Sequence, residues 1–219
     1  DLWVVPASGG LSRRLTADVD DEGRTRWLAD SSGLIFSSAR TQTRLWQVDV
    51  DGGEVAALTP EDVTALNPTV SPDGAEVVFL ADVDGQRDLY LLSIEGGVPR
   101  RLTTNLGGTG MPRWSPNGNW IVLETSHGGS SDIWLVPVNG GDGRFLSAHV
   151  ARDIDPIWSP DGKNLAFISN QDGNAEVYLM ASDGGRPTRI TAQEPDDSMG
   201  DWSPDGEWLA FTRGGNEEE

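Results

Sequence analysis

Three aspartates alternate along one short stretch, Asp82 and Asp84 in Asp82-Val83-Asp84-Gly85 and then Asp88, a pattern loosely like the hard-oxygen ligands of a calcium loop. No Glu stands where an EF-hand loop requires one. Asp84-Gly85 also aligns with Asp172-Gly173 further along the chain, so the segment reads as a hairpin turn and no metal is assigned. The two histidines, His127 and His149, fall in different loops and cannot form a metal-binding pair from one segment. No Gly-x-Ser-x-Gly elbow is present to activate a serine, and Ser130-Ser131-Asp132 reads as a turn into a strand. No phosphate-cradling loop opens a helix. The expectation is a protein without catalytic activity of its own and without a cofactor.

A second set of residues points to binding. From a recurring Thr or Ser (Thr16, Thr59, Thr103, Ser147, Thr191) to the next strand-ending residue is always 11 positions, while the content of each connection differs. Three positions before each strand end stand Arg24, Asn67, Met111, Asp155 and Met199, with Asp153 and Asp197 beside them. Asp20, Asp21, Glu22 and Asp196 add carboxylates, and Arg152 adds a cation. Loops on a rigid scaffold commonly carry binding residues. The acidic, Met-bearing set suits a basic or mixed peptide, and Asp153, Asp155 and Asp197 would alternatively suit a small ligand or cation.

What must position these residues is a repeat. Pro72, Pro116, Pro160 and Pro204 open Pro-Asp-Gly or Pro-Asn-Gly at intervals of 44 residues, each after a Ser. Trp27-Leu28-Ala29-Asp30 is a degenerate copy, and five units, one of 43 residues and four of 44, account for all 219 positions. Within a unit, four apolar runs of four to six residues are separated by Gly, Pro, Asp and Asn, and no helical spacing is sustained. Four antiparallel strands per repeat of this length make a β-propeller blade. The reading is all-β: a single five-bladed propeller over residues 1–219. Blades cover roughly 17–59, 60–103, 104–147 and 148–191. Residues 192–202 lead into a composite blade of 203–219 plus 1–16. The eight-residue phase match across the ends predicts that Leu2-Trp3-Val4-Val5 pairs with Leu209-Ala210-Phe211 and closes the ring.

Trp-Ser-Pro-Asp-Gly, an apolar strand ending in Phe, then Asp-Ile-Trp or Glu-Val-Tyr, then Gly-Gly and Arg-Leu-Thr, resembles the repeat of TolB-like propellers. It is also similar to the propeller domains of prolyl oligopeptidase-type peptidases and the tricorn protease. The resemblance covers all five units. It implies a propeller fold and a periplasmic or extracytoplasmic setting, while the loop face described above is expected to serve a protein or peptide partner. Members of these families usually have six or more blades, so five is a departure. It leaves open an excised piece of a larger ring, the propeller of a peptidase without its hydrolase domain, or an engineered ring.

Composition narrows the partners. Net charge is −19, so nucleic acid and anionic membrane are disfavoured, since both need Lys and Arg to displace counterions. Of 16 basic residues only Lys163 is lysine, and there is no cysteine. No leader or long apolar run is seen, which suggests a soluble, mature or excised chain acting as a monomer. Of nine tryptophans, those at repeat-equivalent positions are expected to pack between blades, with Trp120 and Trp208 the better surface candidates.

Overall fold

Ser-Pro-Asp-Gly recurs because its side chains complete the hairpin that follows each first strand. In the computed structural model Ser71 Oγ donates to Asp73 Oδ1 at 2.6 Å and accepts the Glu76 N–H at 3.0 Å, while Asp73 Oδ1 also accepts the Ala75 N–H at 3.1 Å. Ser115 with Asn117, Ser159 with Asp161, and Ser203 with Asp205 repeat the arrangement. The hydroxyl bond, then the amide bond, holds the Asp73, Asp161 and Asp205 carboxyls below the usual range. These serines and aspartates are thus occupied by the turn. The fourth residue takes φ of 76°, 71°, 70° and 73° at Gly74, Gly118, Gly162 and Gly206. The degenerate copy places Ser31 there at φ 62°. Replacing Ser31 with Gly should therefore stabilise the protein by roughly 1 kcal/mol, read as a higher urea midpoint with unchanged slope. No gain would show that the Ser31 backbone is not strained.

The structure describes residues 1–17, 22–39, 43–107, 110–126, 129–147 and 150–214. They contain twenty strands and form two compact units, Asp1–Asn105 and Leu106–Glu219. In the first unit β1 (Trp3–Val4) pairs with β2 (Arg13–Arg14). Two four-stranded antiparallel sheets follow. One is β3 (Glu22–Trp27), β4 (Gly33–Ala39), β5 (Thr43–Asp49) and β6 (Ala56–Ala57); the other is β7 (Thr64–Val70), β8 (Glu76–Val83), β9 (Gln86–Ser93) and β10 (Arg100–Arg101). The second unit opens with β11 (Arg113–Trp114), β12 (Trp120–Thr125), β13 (Asp132–Pro137) and β14 (Arg144–Phe145) as one sheet. Next come β15 (Asp153–Trp158), β16 (Asn164–Ser169), β17 (Glu176–Ala181) and β18 (Thr188–Arg189), and last the pair β19 (Asp197–Trp202) and β20 (Leu209–Arg213).

Both faces of the middle strands are buried, which is why they read as continuous apolar runs rather than alternating ones. In β4, Leu34 and Phe36 pack with Leu2, Val4 and Leu15, while Ile35 packs with Val77, Phe79 and Tyr90 of the next sheet. In the second unit Val122, Ile133 and Leu135 meet Leu165, Phe167 and Tyr178 in the same way. Phe79 stacks near Tyr90 at 6.1 Å and Phe167 near Tyr178 at 6.0 Å between ring centroids. Each fourth strand spans only two residues, shorter than the four to six expected. Very short edge strands leave few unpaired backbone groups to recruit another chain.

Among the described residues β1 pairs with β2 and β20 with β19. Leu2 and Val4 turn their side chains onto the β4 and β5 cluster. The tryptophans divide accordingly. Trp114 is buried and Trp158 half-buried, but Trp27 is 52% and Trp3 57% exposed, against the packing expected of periodic sites. Trp208 is 73% exposed as anticipated, whereas Trp120 packs on the β12–β17 core with Arg144 over its ring.

Candidate functional site

In four of the repeats the variable connection enters its sheet through a β-bulge in the first strand, and this bulge decides which residue types stand there. Register shifts fall between Leu66 and Thr69 in β7, Ile154 and Ile157 in β15, and Met199 and Trp202 in β19, with a related shift in β3. Asn67 and Asp155 sit at the bulge with φ of 51° and 52°. Asn and Asp are the non-glycine residues that tolerate this left-handed conformation best. Pro68 and Pro156 follow them, placed where the ladder needs no donor. In β7 and β15 the polar character of these positions therefore has a backbone cause.

In the second unit the bulge carries a small charged cluster. Asp155 is exposed and Arg152 is exposed beside it, while Met111 and Met199 are half-buried at the corresponding positions of their repeats. Behind Asp155 stands Glu124 of β12, which accepts the Asp155 backbone amide and the Ser131 hydroxyl, the latter at 3.3 Å. Burial raises the Glu124 carboxyl above its ordinary value and the Asp155 charge adds to that; Ser131, Arg152 and the Asp155 amide oppose it. Gly110 makes room for this residue, since a Cβ there would lie 2.7 Å from Glu124 Cβ. The sequence reading missed Glu124. Its signal was available in register, because Leu80 and Ile168 occupy the same position in neighbouring repeats.

The other residues of the expected set have different surroundings. Asp153 and Asp197 are the first residues of β15 and β19 and are buried, not displayed. Asp197 pairs with Arg213, Nε to Oδ1 at 2.8 Å. Their backbone amides donate across to the preceding repeat, Asp153 to the Ser131 carbonyl at 2.8 Å and Asp197 to that of Ala175 at 2.7 Å. Arg24 is exposed and Asn67 half-buried in the first unit. Asp20, Asp21, His127 and His149 lie outside the described residues. Asp82 and Asp88 stand on the paired strands β8 and β9. Asp84 and Gly85 take φ of 54° and 75° between paired Val83 and Gln86, a two-residue hairpin. Asp82 is gripped by Arg87 through two bonds of 2.8 Å, which keep its carboxyl low. Asp88 accepts from Arg101 and from Thr103.

The recurring Thr or Ser also proves structural. Its hydroxyl accepts one backbone amide at the equivalent position of each repeat: Leu2 N–H donates to Thr16 at 2.8 Å, Leu45 to Thr59 at 3.1 Å, and Leu89 to Thr103, Ile133 to Ser147 and Val177 to Thr191 at 2.9 Å each. The bond lies where the variable connection leaves the sheet. The connections thus differ in sequence beyond one fixed anchor, this hydroxyl.

Comparison with known proteins agrees with this architecture. Residues 65–219 match the family model described as the TolB beta propeller domain. An uncharacterised protein of Agrobacterium fabrum is 34% identical over 94 residues, covering 41% of this chain and 32% of that protein. The match thus spans about a third of the curated relative. TolB from Acinetobacter baumannii superposes with a TM-score of 0.71 at 21% identity, over 94% of this chain and 52% of that one. A puromycin-hydrolysing peptidase of Mycobacterium tuberculosis gives a TM-score of 0.69 at 18% identity, over 87% of this chain and 35% of that chain. At such identities the likeness is one of fold.

Proposed function

Because the chain belongs to the TolB beta propeller domain family, we propose that it is a non-catalytic scaffold, its five repeats serving as blades, that presents its bulge face to a protein or peptide. The observation that carries this reading is Glu124. A half-buried carboxylate at a position that holds Leu80 and Ile168 in the neighbouring repeats, and Ser37 and Thr212 in the other two, is the one charged residue of that column and bonds the backbone of exposed Asp155. Two carboxylates with Arg152 beside them suit a partner segment carrying Lys or Arg and one acidic group. Met111 and Met199, half-buried at the same repeat position, supply adaptable apolar contacts. Arg24 and Asn67 hold that position in the first unit. Asp153 and Asp197 support the site from beneath. The serine hydroxyls of the Ser-Pro-Asp-Gly turns are committed to their hairpins, which favours scaffold over nucleophile.

The test is fluorescence anisotropy with labelled basic, neutral and acidic peptides. Asp155→Asn keeps the left-handed backbone, and Glu124→Gln keeps an acceptor for the amide. The double variant should bind the basic peptides at least tenfold more weakly while its thermal unfolding stays within about 2 °C of the parent. Equal binding by parent and variant, or a preference for acidic peptides, would count against this face.

A further inference from the structure

Near the start of the chain, three side chains lack the bonds that their counterparts make in other repeats. Trp27 ends β3 as Trp158 ends β15. Trp158 donates its Nε1 to the Arg113 carbonyl at 3.2 Å, whereas Trp27 is 52% exposed and its indole N–H has no acceptor among the described residues. Arg13 and Arg144 also share a repeat position, the first of β2 and of β14. Arg144 donates to the carbonyls of Ser182 and Asp183 at 2.9 and 2.6 Å. Arg13 makes a single ion pair among the described residues, with Asp51 at 3.6 Å, and Asp51 is fully exposed. A pair so open to water is readily exchanged. Ser31, at the glycine position of its turn, has a hydroxyl without a hydrogen bond among the described residues.

All three line one open cavity of about 540 Å³ in the first unit, and the rest of its wall is apolar, with Val5, Pro6 and Leu11 among it. That volume is of the size small-molecule sites have. Leu11 is 94% exposed and Val5 60%, so a concave apolar surface faces water here. Among the described lining residues Arg13 alone is charged. The cavity thus combines a flat indole, an aliphatic wall and one guanidinium with donors to spare.

We propose that this cavity binds a small aromatic carboxylate of one or two rings. The ring lies against Trp27 and the aliphatic wall, and the carboxylate takes the place of Asp51 on Arg13. The guanidinium fork matches a carboxylate with two parallel N–H bonds, and the Ser31 hydroxyl is a further donor. The net charge of −19 acts against an anion at long range, but salt screens it beyond about 8 Å, and the charge lining the cavity is positive. A neutral aromatic molecule would keep the apolar contacts and leave Arg13 with Asp51. The site shares no residue with the bulge-face reading, so either can fail alone.

Isothermal titration with 2-naphthoate tests this, with 2-naphthylmethanol as the neutral and 2-naphthylmethylamine as the cationic counterpart. One naphthoate per chain is expected, with a dissociation constant on the order of 100 μM. The alcohol should bind about tenfold more weakly and the amine more weakly still. Arg13→Gln should weaken naphthoate about tenfold and leave the alcohol unchanged. Trp27→Ala should weaken both. Leu11→Glu, at a side chain 94% exposed and so without consequence for folding, should weaken naphthoate more than the alcohol. Trp208→Ala, at an exposed tryptophan that does not line the cavity, should bind as the parent does. No saturable heat in the parent, equal affinity for the three compounds, or naphthoate binding unchanged by Arg13→Gln or by Leu11→Glu would overturn the site.

Discussion

Replacing Arg189 with Met is expected to destabilise the protein by about 3–5 kcal/mol, because it strands a buried carboxylate. Glu176 has no exposed side-chain surface, and Arg189 Nη2 lies 2.7 Å from its Oε1 while Nε donates to the Thr191 carbonyl at 2.7 Å. Methionine keeps most of the aliphatic stem, so the loss reports the charge and its hydrogen bonds more than packing. The comparison is Arg87→Met. Arg87 and Asp82 are each about a third exposed, and that pair should contribute under about 1 kcal/mol. Urea denaturation of both variants supplies the measurement. Adding Glu176→Gln to Arg189→Met should recover part of the loss, since a neutral amide is cheaper to bury than an unpaired carboxylate. An Arg189→Met loss no larger than that of Arg87→Met would mean that the buried acid is neutralised by something other than this arginine.

Much of the fold could be read from the chain because turn chemistry and strand period agree. Ser71-Pro72-Asp73-Gly74 is both a sequence signature and a closed set of hydrogen bonds, so its recurrence located first and second strands. The third strands were equally plain, as with Glu176–Ala181. Burial at the bulge was hidden. Asp153 and Asp197 look like loop residues in a variable connection, yet each begins a strand whose amide is tied to the preceding repeat.

The candidate site was partly readable, and the informative comparison was column by column. Asn67 and Asp155 stand out for polarity, which their positive φ largely explains. Glu124 stands out only when aligned with Leu80 and Ile168. The exchange of Asp for Arg at position 44 with loss of Arg at position 57 is visible in the same register. What the sequence lacked was the knowledge that these two columns touch, and the Arg101–Asp88 and Arg189–Glu176 pairs supply it.

The same buried acid should make the protein lose stability in acid over a defined window. Burial alone would raise the Glu176 carboxyl, but hydrogen bonds from Thr191, Arg189 and Asn174, with the Arg189 charge, outweigh it and lower the value from 4.5 to about 2. A group depressed on folding stabilises the protein above its unfolded value. That contribution is complete above about pH 5 and disappears as pH falls from there through about 2. A depression of this size corresponds to roughly 3 kcal/mol. Asp73, Asp161 and Asp205 are shifted the same way and steepen the loss, while Glu124, raised by burial, acts against it. Urea midpoints at pH 7, 5, 4, 3 and 2 for the parent and Glu176→Gln separate the contributions. The variant should be less stable at neutral pH, and the gap should close toward pH 2, because the parent carboxyl is then protonated as well. Parallel curves, with the gap unchanged across the window, would show that Glu176 is not the group whose charge Arg189 holds.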